Sequence, residues 1–154
     1  MYACGLRISE ACSLPVSAVR TEEKVLRVIG KRNTERLVPL VDPVLTMLRE
    51  VWKTHRNRQW LFPCKNQEKH IPYKSVGTIF RLAREKAGLH EDFTPHGLRH
   101  SFATRLFEKG IDIRTIQVLL GHASLRSTEI DLHLTEPKRK EVREMLDEFF
   151  RDLF

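Results

Sequence analysis

Apolar residues recur at helical spacing along most of this chain, and in one stretch they alternate instead. The first segment, GLRISEACSL at 5–14, sets Leu6, Ala11 and Leu14 among polar neighbours. That predicts a short helix stopped near Pro15. The period then changes. In KVLRVIGKRNTERLVPL at 24–40, two partly alternating β-branched runs, Val25 to Ile29 and Arg36 to Leu40, flank the turn-rich GKRNTE, which predicts a β-hairpin.

From Asp42 the helical period returns. Asp42 as N-cap and Pro43 as first helical residue open a helix with Val44, Leu48, Val51 and Trp52 on one stripe, ending near His55. WLFP at 60–63 reads as a short extended piece, and Val76, Ile79, Phe80, Ala83 and Ala87 mark a helix closed by Gly88. Thr94 and Pro95 then give a clear start signal, with Leu98, Phe102, Ala103 and Leu106 running inward until Gly110. Asp112 opens a further helix (Ile113, Ile116, Leu119, Leu120) closed by Gly121, another follows Ser124, and a last one starts near Pro137. The sum is an α+β fold, mostly α, with a small antiparallel hairpin or three-stranded sheet.

Length adds a bound to this picture. At 154 residues and 41% hydrophobic, the chain supports one core, and its scattered Gly and Pro mark no linker, so a single domain over 1–154 is expected. No run approaches the roughly 18 consecutive apolar residues of a membrane span, and MYACGLRISE lacks the order of a signal peptide. The expectation is a soluble cytoplasmic protein without membrane partners. Cys4, Cys12 and Cys64 fit neither a disulfide framework nor a paired zinc spacing.

Charge changes the picture more. Lys and Arg number 27 against 20 Asp and Glu, a net charge of +7, which suits a polyanion. Many basic domains merely have solvated faces, so the question is whether the basic residues converge. Three distant segments each put a cationic or imidazole group beside a chain reversal: GLRISE with Arg7, GKRNTERLVPL with Lys31, and TPHGLRHSFATRL with His96 and Arg99. His96 and Arg99 share a face in the first turn of a capped helix, whose N-terminus favours a phosphate. In LLGHASLRSTEIDLHL, His122 follows a glycine helix stop, where a side chain can turn back to the same place. Singly, each has a bland explanation: a surface arginine, a hairpin-tip lysine, a histidine bonded to backbone. A metal reading on His96 and His100, at i,i+4, lacks the Glu of the zinc-protease pattern, because position 97 is Gly. A shared phosphate is the stronger reading.

GLRISE, the hairpin turn GK followed by ERLVPL, TPHGLRHSFAT with its H-x-x-R, and LLGHASLRSTEI stand in the order and approximate spacing of tyrosine recombinases of the phage integrase family. The chain resembles the catalytic domain of that family over residues 1–135, particularly its Xer-like and integron-integrase branch. The resemblance implies site-specific DNA strand cleavage and rejoining through a phosphotyrosine, as in DNA integration and mobile-element recombination, encoded by a prokaryotic cell, phage or mobile element. It makes double-stranded DNA the partner, with Arg7 and Arg99 clamping the scissile phosphate, a task that suits guanidinium. It makes Lys31 a third phosphate contact and general acid toward the leaving 5′ oxygen, and His96 and His122 the imidazoles that stabilise the transition state. No metal or other cofactor is implied.

The chain departs from the family pattern at the nucleophile. Counting from His122 through Ser127, Thr128 and Ile130, the tyrosine position holds Asp131, and the tyrosines present, Tyr2 and Tyr73, lie outside that motif. Aspartate is shorter by a phenyl ring, and an acyl phosphate ester would hydrolyse before religation. The expectation is an inactive catalytic domain, or alternatively a decayed recombinase acting as a DNA- or partner-binding module. A second expected departure is at the start, where the family's N-terminal DNA-binding domain and the helix before GLRISE have no counterpart. At the far end, Val142, Met145, Leu146, Phe149 and Leu153 form an apolar stripe on the last helix. That stripe packs on its own domain or, as the family's terminal segment often does, supports self-association on a neighbouring protomer.

Overall fold

The structure is a computed structural model and describes residues 1–30, 33–121 and 134–151. Gly5, in the left-handed region at φ 59°, precedes a short helix α1 (Ile8–Cys12). Leu6 and Leu14, the apolar positions read from the sequence, flank α1 and are both buried. A single 3-10 turn (Val16–Ala18) leads into β1 (Val19–Arg20), β2 (Val25–Ile29) and β3 (Glu35–Pro39), an antiparallel sheet in that order. The register runs from Val25 opposite Pro39 to Ile29 opposite Glu35, with the Gly30 N–H donating to the Thr34 carbonyl at 2.7 Å across the turn. Alternation along the strands sends Leu26, Val28 and Val38 into the core, and Arg36 goes in beside them.

Four long helices follow, α2 (Asp42–His55), α3 (Tyr73–Lys86), α4 (Pro95–Glu108) and α6 (Glu136–Arg151), with the shorter α5 (Ile113–Leu120) between the last two. The expected WLFP piece is extended, with bridges from Pro15 to Trp60 and from Pro63 to His70. In α4 the Thr94 side chain accepts from the Gly97 N–H, and in α5 the Asp112 side chain accepts from the Thr115 N–H at 2.8 Å, as the cap residues predict. Gly121 closes α5 in the left-handed conformation. The expected helix after Ser124 lies outside the described residues.

Several expectations need correction. The N-cap of α2 is Val41, not Asp42, whose carboxylate instead accepts from Lys24 Nζ at 2.7 Å. Val51 and Ile113 were expected inside, yet Ile113 is 59% exposed, because at the first position of α5 it precedes the turn that meets the core. The stripe on α3 is amphipathic in sequence, but no residue of α3 is fully buried, and Ile79 stands outward. The α6 stripe is a seat on its own domain: Val142 and Leu146 are in the core, with Met145 and Phe149 packed against it. Phe149 is further committed to Tyr2, Phe150 and the Arg105 guanidinium. Self-association through these side chains would require α6 to leave that seat; Leu153 lies outside the described residues. Among the described residues, no helix is long and apolar enough to cross a membrane.

Candidate functional site

The site is built where α1, α4, β3 and the end of α5 meet. Gly5 permits this approach, since a Cβ there would stand 2.7 Å from Phe102 Cδ1 and 2.8 Å from Leu120 Cδ2. With no side chain at Gly5, the start of α1 lies directly on α4 and α5. Arg7 and Arg99, far apart in sequence, are thereby brought to one carboxylate, that of Glu10. Arg7 gives its backbone N–H to Glu10 Oε2 at 2.8 Å and its Nη1 to Oε1 at 2.8 Å, and Arg99 Nη1 lies 3.8 Å from Oε2.

A second set of acceptors is the C-terminal end of α5, where carbonyls are left without helical partners and the helix dipole is negative. Three successive carbonyls each accept from a different arginine. Leu119 takes Arg36 Nε at 2.8 Å, Leu120 takes Arg99 Nη2 at 2.6 Å, and Gly121 takes Arg7 Nη2 at 3.1 Å. Arg99 Nη1 also donates to the Gly5 carbonyl at 2.6 Å, so Arg99 is held at both ends and is only 3% exposed. Arg7 is partly open to solvent.

Electrostatics follow from this geometry. Burial alone would raise the Glu10 carboxyl, but hydrogen bonds from Arg36 and Arg7 hold it down at about 2, so it is ionised at neutral pH. Burial, and then the Arg7 charge, lower the Arg99 guanidinium to about 10, which leaves it charged at neutral pH. Three arginines around one carboxylate leave a net positive cluster suited to an anion.

Of the residues expected from sequence, Arg7 and Arg99 are brought together here. His96 is exposed on the first turn of α4, one turn before Arg99. Lys31, His122 and Asp131 lie outside the described residues. Sequence reasoning missed Glu10 and Arg36, both buried and both central. The signal for Arg36 was its register: it shares strand parity with Val38, so an inward charge needing a partner was implied. Glu10 stands one turn after Arg7, the spacing of an N-terminal cap partner.

Comparison with known proteins identifies the family. The sequence profile described as the phage integrase family matches residues 1–137. The tyrosine recombinase XerA of Pyrococcus furiosus is 38% identical over 148 residues, covering 94% of this chain and 51% of that protein. XerD of Brucella suis is 37% identical over 146 residues, covering 90% of this chain and 47% of that protein. The chain thus spans about half the length of the curated relatives it matches. Among solved structures, the integrase from mycobacterium phage Brujita superposes with a TM-score of 0.75 at 30% identity, over 95% of this chain and 47% of that one. A XerA recombinase crystal structure gives a TM-score of 0.71 at 30% identity, over 90% of this chain and 52% of that one. With the profile spanning nearly the whole chain and the fold shared with these recombinases, the chain belongs to the phage integrase family and has the architecture of its tyrosine recombinase catalytic domains.

Proposed function

We propose that this chain is the DNA-binding catalytic domain of a site-specific tyrosine recombinase, with its phosphate-binding site kept and its nucleophile replaced. The reading is carried by one observation, the fastening of Arg7 and Arg99 to the same carboxylate and to adjacent carbonyls of α5. Two guanidinium groups so held present a preorganised pair to a phosphodiester and spare the reorganisation that loose side chains would need. A XerH recombinase of known structure, 26% identical, is bound to its difH substrate, which supports DNA as the partner. In this reading Arg7, Arg99 and Lys31 contact the scissile phosphate, Lys31 protonates the leaving 5′ oxygen, and His96 and His122 assist the transition state. No step uses a metal.

Asp131 at the tyrosine position makes the chain inactive in strand cleavage. A test is a nicked suicide duplex carrying a recombinase core site. The expected result is binding with salt-sensitive affinity and no covalent protein–DNA adduct. An adduct would refute the inactive assignment, and salt-independent binding would refute the phosphate site.

A further inference from the structure

We propose that Arg36 is a positioning residue of the phosphate site, holding in register Arg7 and Arg99, the two arginines assigned to the phosphate. The inference rests on the functional reading above, which assigns Arg7 and Arg99 to the phosphate. Arg36 itself lies on the core side of β3, opposite Val28, and the proposal gives it no direct contact with the phosphate. From β3, its guanidinium reaches α1 and the end of α5 at once. Nη1 and Nη2 donate to Glu10 Oε1 at 3.0 Å and Oε2 at 2.7 Å, and Nε donates to the Leu119 carbonyl at 2.8 Å.

Through Glu10, Arg36 reaches Arg7, which is bonded to the same two oxygens. Through the end of α5 it reaches the carbonyls that hold Arg99 and Arg7. Two glycines complete the arrangement. A Cβ at Gly121 would stand 3.1 Å from Arg36 Cδ and Nη1, and one at Gly30 would stand 3.7 Å from Nη1.

A role in stability alone accounts poorly for this choice. A buried ion pair contributes little beyond what apolar side chains of similar volume would, and the inward face of β3 beside Val38 is an apolar environment. A planar fork does what an apolar side chain does not: it fixes the relative positions of a carboxylate and a helix end.

The experiment compares Arg36→Lys, which keeps the charge and loses the fork, with Arg36→Met, which loses both. One readout is the side-chain Nε–H NMR signals of Arg7 and Arg99 in labelled protein. The other is affinity for a short DNA duplex across a salt series, followed by fluorescence anisotropy. The expected result is cooperative urea unfolding with loss of the dispersed arginine signals. Binding should be about tenfold weaker, with the salt slope reduced by about 1 in Arg36→Lys, although the net charge is unchanged. Should Arg36→Met not fold, Arg36→Lys carries the test. Unchanged arginine signals in Arg36→Lys overturn the proposal, and so do lost signals with an unchanged slope. A parent chain that binds no DNA counts against the functional reading instead, and the arginine signals still decide whether Arg36 positions its neighbours.

Discussion

Arg36 and Glu10 meet as a two-point pair inside the domain, Nη1 on Oε1 at 3.0 Å and Nη2 on Oε2 at 2.7 Å. Both side chains are buried, and the same carboxylate carries Arg7. Removing one partner strands the other charges away from water, which is the costly way to break such a pair. Glu10→Ala is therefore expected to destabilise the fold by about 3–5 kcal/mol at neutral pH, measured by urea denaturation. A loss below about 1 kcal/mol would contradict the arrangement.

The same pair sets a pH dependence. Glu10 is lowered in the folded state from 4.5 to about 2. A lowered carboxylate stabilises the fold above its unfolded value, and that contribution disappears as pH falls through the folded value. Stability of the parent should thus decline between pH 4.5 and about 2 more steeply than that of Glu10→Gln, which has no proton to take up there. Parallel curves for the two proteins across that window would contradict the assignment.

Gly5 is expected to tolerate no side chain. Gly5→Ala adds a Cβ within 2.8 Å of Phe102 and Leu120 at a backbone φ of 59°. Overpacking and left-handed strain together should cost about 2–4 kcal/mol, read from the urea midpoint. By contrast, Asp112→Ala removes a helix cap and an exposed ion pair with Lys138 and should cost about 1 kcal/mol, with DNA affinity unchanged.

DNA affinity should depend on the cluster more than on surface charge. Arg7→Ala is expected to weaken binding and lower the salt slope by about 1, uniformly across DNA sequences. Lys138 already faces Asp112 and Glu141 on the surface of α6, and Lys138→Ala should change binding little. Equal effects of the two substitutions, measured by anisotropy at matched salt, would point to diffuse charge rather than a site.

Local signals carried much of this fold. Thr94 with Pro95, Asp112 and Gly121 each specify a helix end through a short-range backbone requirement, and the structure has those ends. The motif residues Arg7 and Arg99 were legible for a similar reason, since each sits in a short string with its own spacing. What stayed hidden depends on tertiary neighbours. Ile79 and Ile113 fit an apolar period, yet only the packing decides that they face outward. Glu10 reads as an ordinary helix acid until Arg36 arrives from a strand that the sequence separates from it. The α6 stripe has the same pattern whether it meets its own core or a partner, and the structure seats it on the core.

The central claim is a phosphate site that is intact around a missing nucleophile, and Asp131→Tyr tests it most directly. The measurement is covalent adduct on a nicked suicide duplex, with the variant carried in a longer chain that supplies an N-terminal DNA-binding domain for positioning. In the proposed reading, a phenol restores reach and forms an ester that conserves bond energy, and Arg7, Arg99 and Lys31 would stabilise the phosphorane that its attack forms. The account predicts an adduct for Asp131→Tyr and none for the Asp131 parent. An adduct from the parent, or none from a DNA-bound Asp131→Tyr protein, would contradict it.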